Sequence, residues 1–183
     1  MKSGAEQQYA TMTVDEICKL PVRDIADKNS VLFLWVTVPM LREGLQVMDA
    51  WGYHYKTALS WRKESFGLGY WFRGQMEHLL FGVRGKVKAF RMQECNFHQS
   101  KAGKHSAKPA HFREMIERTA TKGELKGWVE LFARGDAVPG WKNWGLEAIP
   151  PKEPPPPTTS VALAPVIEIF DAVGKVMEER VAA

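Results

Sequence analysis

Eight consecutive residues, Val31-Leu-Phe-Leu-Trp-Val-Thr-Val38, carry no charge. A strand with one wet face alternates polar and apolar side chains, so an uninterrupted run of this length reads as a strand covered on both faces. Such a strand needs helices above and below it, and the flanking sequence predicts them. Thr13 and Glu16 form a capping-box pair opening a short helix that must stop before Pro21. Pro39 suits the first turn of a second helix, in which Leu41, Gly44, Leu45, Met48 and Trp51 lie on one stripe. A strand is predicted near Tyr53 to Trp61, a loop containing glycine and aromatic residues over 64–74, and a further strand from Met76 to Val83. Lys86 to Lys108 reads as mostly irregular. Pro109 opens a helix with Phe112, Met115, Ile116 and Thr119 on one face, and Trp128 to Ala133 closes the sheet. Strands alternating with helices imply an α/β fold, a Rossmann-like, mostly parallel sheet with helices on both faces. No G-x-G-x-x-G follows a strand, which argues against a dinucleotide oxidoreductase.

The sequence divides into three parts. Residues 1–149 are long enough for one domain with a real core. Six prolines between Pro150 and Pro157 predict a stiff linker over 150–160. In 161–183, Val166, Ile169, Phe170, Val173, Val176, Met177 and Val181 trace a helical stripe, so a C-terminal amphipathic helix is expected. It would dock on its own domain, or make a homodimer or partner contact. No apolar run approaches the ~20 residues that span a bilayer, so no membrane partner is expected. The N-terminus is polar throughout, unlike a signal peptide. The two cysteines, Cys18 and Cys95, provide no disulfide framework, and a reducing cytoplasmic setting is the expectation.

The net charge of +4 hides an asymmetry. Between Arg84 and Lys126 there are eleven Lys or Arg against four Glu, a local +7. A basic segment in an otherwise neutral chain is the footprint expected for a phosphate backbone. Lys86, Lys88, Arg91, Lys101 and Lys104 are the candidate phosphate contacts; a solvated surface loop is the bland alternative. Between Glu124 and Glu147 an apolar run, Trp128 to Ala133, breaks into Arg134-Gly-Asp136 and then Gly140-Trp-Lys-Asn-Trp-Gly-Leu-Glu147. In α/β sheets, ligands sit beyond the carboxyl ends of strands. Arg134, Asp136 and two indoles there suit a ligand with a carboxylate, a ribose and a flat ring.

Six blocks occur in order: Tyr9-Ala-Thr-Met12, Leu32 to Thr37, Trp51 to Lys56 with Trp61 to Lys63, Glu77-His-Leu-Leu-Phe-Gly-Val-Arg-Gly85, His105-Ser-Ala-Lys-Pro109 and Glu130-Leu-Phe-Ala-Arg134. Together they resemble the N6-adenine methyltransferases of the MT-A70 type, a family with messenger-RNA enzymes and bacterial and phage DNA enzymes. The resemblance covers residues 3 to 147. It implies a permuted methyltransferase order, S-adenosylmethionine (SAM) as cofactor, and adenine in nucleic acid as substrate. DNA is expected ahead of RNA, because no added RNA-binding module is evident. The setting would be a bacterial cell or a phage-infected host.

Carried over by position, Tyr9 resembles a loop tyrosine near the target base, and Trp61 a tryptophan shaping the acceptor pocket. Glu77 resembles a site glutamate, and a charge inside an apolar strand costs several kcal/mol unless paired or functional. His78 beside it reads as structural. Lys108, ahead of a helix N-terminus that favours anions, resembles the lysine at the cofactor's amino-acid end. Arg134 resembles the arginine at its ribose, with Asp136, Trp141 and Asn143 as neighbours.

Two departures stand out. Where the family has Gly-Asn-Glu or Gly-Asn-Gln, this chain has Gly145-Leu146-Glu147. Leucine cannot hydrogen-bond a ribose hydroxyl, so one cofactor contact is lost unless Glu147 or Asn143 substitutes. The family's Asp-Pro-Pro-Trp acceptor motif occurs nowhere in the sequence, and Met1 lies eight residues before Tyr9. With Met1 as the start, the first strand of the sheet is expected to be missing and catalysis weak or absent. The rival reading is a catalytically silent nucleic-acid-binding or partner subunit of the same fold. Cys95, His98, His105 and His111 match no paired-ligand zinc pattern, and no metal is expected.

Overall fold

The uncharged run is a strand near the middle of a seven-stranded sheet in the computed structural model. The structure describes residues 12–67, 69, 71–91, 93–103, 108–122, 125, 127–136, 138–144, 147–149 and 164–168. In chain order the elements are α1 (Val14–Cys18), α2 (Val22–Ile25), β1 (Ser30–Thr37), a 3-10 turn (Val38–Met40), α3 (Leu41–Ala50), β2 (His54–Lys63), β3 (Met76–Arg84) and β4 (Phe97–Ser100). Then come α4 (Ala110–Lys122), β5 (Trp128–Leu131), β6 (Arg134–Asp136), β7 (Trp141–Trp144), β8 (Glu147–Ile149) and β9 (Ala164–Glu168).

The sheet order is β4-β2-β3-β1-β9-β5-β7. Only β3 runs against the rest, pairing antiparallel with β2 and β1. The sheet is therefore mixed, and the other strands share one direction. Strands β6 and β8 form a separate parallel pair.

Alternation along β1 explains its lack of charge. Leu32, Leu34 and Val36 pack with Ile17, Val22, Val47, Met48 and Trp51 from α1, α2 and α3 and the residue after it. Val31, Phe33 and Trp35 pack on the other face with Phe112, Met115 and Ile116 of α4. Each such side chain contributes roughly 1.5–3 kcal/mol by leaving water. The predicted capping box is present: Glu16 N–H donates to Thr13 Oγ1 at 3.2 Å, and Thr13 N–H donates to Glu16 Oε2 at 2.6 Å. In α3 the buried stripe is Gly44, Val47 and Met48, whereas Leu41 turns outward. A Cβ on Gly44 would meet Val36 Cγ1, so the helix lies against the sheet at glycine distance.

The structure sharpens two expectations and changes two others. β4 lies inside the stretch read as mostly irregular; it is a four-residue strand at the sheet edge, too short for periodicity to register. Trp128 to Ala133 does not close the sheet: β5 ends at Leu131, and β7 lies outside it. The mostly parallel sheet expected is present, with β3 reversed because a 12-residue hairpin loop (64–75) returns the chain beside β2. The predicted C-terminal helix over 161–183 is replaced at Ala164–Glu168 by β9, seated between β1 and β5. Val166 and Ile167 are β-branched and suit a buried central strand as well as a helical stripe. The homodimer or partner contact inferred from that stripe loses its basis through Val166. The linker over 150–160 and the remainder of 161–183 lie outside the described residues.

Candidate active site

Antiparallel register sets the site. Thr37 at the end of β1 and Trp61 near the end of β2 both pair with Glu77, the second residue of β3. Residues directly opposite in a sheet share a face, here the face covered by α4. Glu77 is 1% exposed. Its carboxylate forms ion pairs with Lys63 and with Lys108, whose Nζ is 3.3 Å from Oε2. The Lys108 side chain is 7% exposed and that of Lys63 24%.

Indole rings hold both ammonium groups. Lys108 Nζ lies 5.5 Å from the Trp35 ring centroid, and Lys63 Nζ lies 5.5 Å from that of Trp61. The rings form one layer: Trp35 and Trp61 meet edge-on at 5.9 Å, and Phe112 lies 4.8 Å from Trp35. Trp61 Nε1–H donates to Ser100 Oγ at 2.9 Å, tying β2 to the end of β4. Edge-to-face rings and cations over π-faces are each favourable by about 0.5–2 kcal/mol. Lys108 also stands two residues ahead of α4, whose first turn is closed by Phe112 N–H donating to Pro109 O at 3.1 Å. Two ammoniums meet at one carboxylate just ahead of a helix N-terminus. That combination attracts an anion.

Further along the same edge, the carboxyl end of β5 leads into Arg134 and Asp136 on β6. Parallel pairing places Arg134 opposite Glu147 and Asp136 opposite Ile149. Asn143 on β7 pairs with Glu130 of β5, and its Oδ1 is buried with no hydrogen-bond partner among the described residues. An unsatisfied buried acceptor costs about 1–3 kcal/mol, so its retention suits a hydroxyl-bearing ligand.

The sequence-predicted residues sort accordingly. Trp61, Glu77 and Lys108 are brought together. Arg134, Asp136, Asn143 and Glu147 are grouped by β6, β7 and β8. Trp61 is 1% exposed, so it forms the floor of the site rather than an open pocket wall. Tyr9 and Lys104 lie outside the described residues. The four described basic candidates, Lys86, Lys88, Arg91 and Lys101, do not form one patch. Lys101 follows β4 at the site edge, but Lys86 N–H donates to Asn29 Oδ1 at 2.8 Å, beside the start of β1. Ser30 pairs with Arg84 and Thr37 with Glu77, so at ~3.3 Å per residue the two edges are roughly 23 Å apart. Lys88 and Arg91 line a cavity of about 430 Å³ with Lys122, at the far end of α4.

Lys63 was given no role from the sequence. The available signal was its spacing: two residues beyond Trp61 on a strand, hence on the same face. His78 fits its structural reading, with Ser60 Oγ 3.0 Å from Nδ1, and burial lowers its pKa. His98 and His111 stack at 5.4 Å. Among the described residues no group of His, Cys, Asp or Glu could hold a metal ion, and no helix is long and apolar enough to cross a membrane.

A mixed α/β sheet carrying a buried, doubly paired glutamate beside a helix N-terminus fits the methyltransferase class of fold. The MT-A70 family profile matches residues 1–147, and the chain belongs to that family. Over 151 residues it is 33% identical to the type II methyltransferase M.MunI of Mycoplasma sp, covering 79% of this chain and 62% of that protein. It is 33% identical over 150 residues to the N(6)-adenosine-methyltransferase subunit METTL3 of Danio rerio, and 31% identical over 150 residues to the N(6)-adenosine-methyltransferase catalytic subunit METTL3 of Homo sapiens. Each METTL3 match covers 76% of this chain and 25% of the relative. The chain thus spans about three fifths of M.MunI and a quarter of these METTL3 proteins.

Proposed function

We propose that this chain transfers a methyl group from SAM to the N6 amine of adenine in nucleic acid, with DNA ahead of RNA. The observation that carries the reading is the buried Glu77 bridged by Lys63 and Lys108 over a Trp35–Trp61 floor, within the stretch that matches the family. The relatives' names, a type II methyltransferase and adenosine N6-methyltransferases, support the reaction.

SAM fits the residues present. Lys108, cationic and ahead of α4, would hold the carboxylate, while Arg134, Asp136, Asn143 and Glu147 would hold the ribose; Asn143 Oδ1, buried and without a partner among the described residues, is an acceptor for a hydroxyl. Bound there, SAM supplies the electrophilic methyl group. The adenine amine is a poor nucleophile because its lone pair is delocalised, so orientation matters more than acid–base power. Glu77 holds both ammoniums in place, fixing the site's positive charge. The aromatic floor keeps water from beneath it. The target base must leave its stack to reach the site.

A second reading is a silent nucleic-acid-binding subunit of the same fold. It is favoured by Leu146 in the Gly-Leu-Glu triplet and by the lack of Asp-Pro-Pro-Trp in these 183 residues. Incubation with methyl-labelled SAM and adenine-containing DNA or RNA separates the two. Label entering DNA, and reduced in Lys108→Ala, supports the enzyme. Nucleic-acid binding without label transfer supports the silent subunit.

A further inference from the structure

The hairpin joining β2 to β3 presents aromatic rings to solvent. Trp71 is 91% exposed, Phe72 90% and Phe66 68%. A buried aromatic side chain removes about 150–250 Å² from water, and a folded chain does not normally forgo that for two adjacent rings. The hairpin is nonetheless built to hold them out. Lys63 N–H donates to Gln75 O at 2.8 Å, and Gly67 N–H donates to Gly74 O at 2.7 Å, extending the pairing beyond the strands. Arg73 Nε–H donates to Gly67 O at 2.7 Å across the loop. A Cβ on Gly69 would meet the Phe72 carbonyl oxygen, so the turn that projects the rings admits no side chain there.

Its position is equally specific. The hairpin springs from Lys63 and returns through Gln75 to Glu77, the two sides of the buried ion pair. Its cations are Arg62, Lys63 and Arg73 against the single acid Glu64, and Lys101 follows β4 on the neighbouring strand. Rings bracketed by cations match a surface for stacked bases and phosphates. A protein–protein interface core also favours aromatic rings and Arg but is depleted of Lys, so Lys101 beside the rings fits phosphates better.

We propose that Trp71 and Phe72 form a stacking wedge for nucleobases next to the target adenine, with Arg62, Arg73 and Lys101 on the adjoining phosphates. This rests on the nucleic-acid reading above. A base drawn out of a duplex leaves a gap, and an apolar side chain entering that gap stabilises the opened state. In single strands the same rings stack on successive bases.

The test is equilibrium binding of a mixed-sequence, adenine-containing 12-mer, single-stranded and as a duplex, to the full chain. The double variant Trp71→Ala/Phe72→Ala is expected to bind the single strand at least tenfold more weakly, the loss typical of an unstacked base. Its salt slope should be unchanged, because no phosphate contact is removed, and Trp71→Phe should retain most of the affinity. The rings touch little of the core, so an unchanged unfolding midpoint confirms that the variant is folded. Equal binding by parent and double variant overturns the wedge and leaves the nucleic-acid reading intact. Concentration-dependent self-association of the parent that the double variant abolishes, with equal oligonucleotide binding, overturns it in favour of a protein contact. A parent that binds neither oligonucleotide overturns both.

Discussion

Removing the Glu77 carboxylate should cost the fold more than removing either lysine. Glu77 is 1% exposed and serves two ammoniums, one of which, on Lys108, is 7% exposed. Glu77→Ala takes this carboxylate from the nearly dry Lys108, and breaking a buried pair from one side costs about 3–5 kcal/mol. Lys63, at 24% exposure, can turn to water and adds less. Lys108→Met keeps the Lys63–Glu77 pair and should cost about half as much or less. In the double variant Glu77→Ala/Lys108→Met no buried charge is stranded, so it should be more stable than Glu77→Ala alone, with a coupling of about 2–3 kcal/mol. At roughly 2–4 °C per kcal/mol for a chain of this size, Glu77→Ala should lower the Tm by about 6–20 °C. Urea unfolding followed by tryptophan fluorescence reads all four proteins, provided the m-values agree. A Glu77→Ala loss below about 1 kcal/mol, or strict additivity in the cycle, would refute the buried bridge.

Lys108→Ala and Arg134→Ala should each weaken SAM binding about tenfold or more, the loss of one charge-assisted hydrogen bond; unchanged affinity by calorimetric titration removes the residue from the site. Gly44→Ala should destabilise by about 1–3 kcal/mol despite alanine's better helix propensity, because the new methyl meets Val36 and Leu80; a neutral or stabilising effect in the same denaturation assay shows that α3 sits further from the sheet. Burial lowers the pKa of both His78 and His111, and the neighbouring His98 pushes His111 the same way. Groups held neutral by the fold bind fewer protons folded than unfolded, so their stability is full above the ordinary histidine value of about 6.5 and is lost as pH falls through the lowered folded values. The Tm should therefore drop between pH 7 and pH 5, less steeply in His111→Gln; identical slopes would contradict the assignment.

Features written locally were legible in the sequence. The capping box at Thr13 and Glu16, the uncharged β1 and the Phe112–Thr119 face of α4 each follow from a few neighbouring residues. Glu77 stood out because a carboxylate interrupts apolar neighbours. Features set by distant pairing were not legible. β9 enters the sheet between β1 and β5 through register that spans more than a hundred residues for its β1 partner, and Val166-Ile167 satisfies helical and strand periodicity alike. The basic residues share one sequence segment, but the reversed β3 carries Lys86 to the edge opposite Glu77. Lys63 gained meaning only when the hairpin folded it over Glu77.

The most direct measurement digests adenine-containing DNA to nucleosides after incubation with the chain and SAM, and identifies the methylated product by mass spectrometry. The account predicts N6-methyldeoxyadenosine from the parent and about tenfold less or lower still from Lys108→Ala at sub-saturating SAM. A methyl group on another base, or no methylated product although both SAM and DNA are bound, would contradict it.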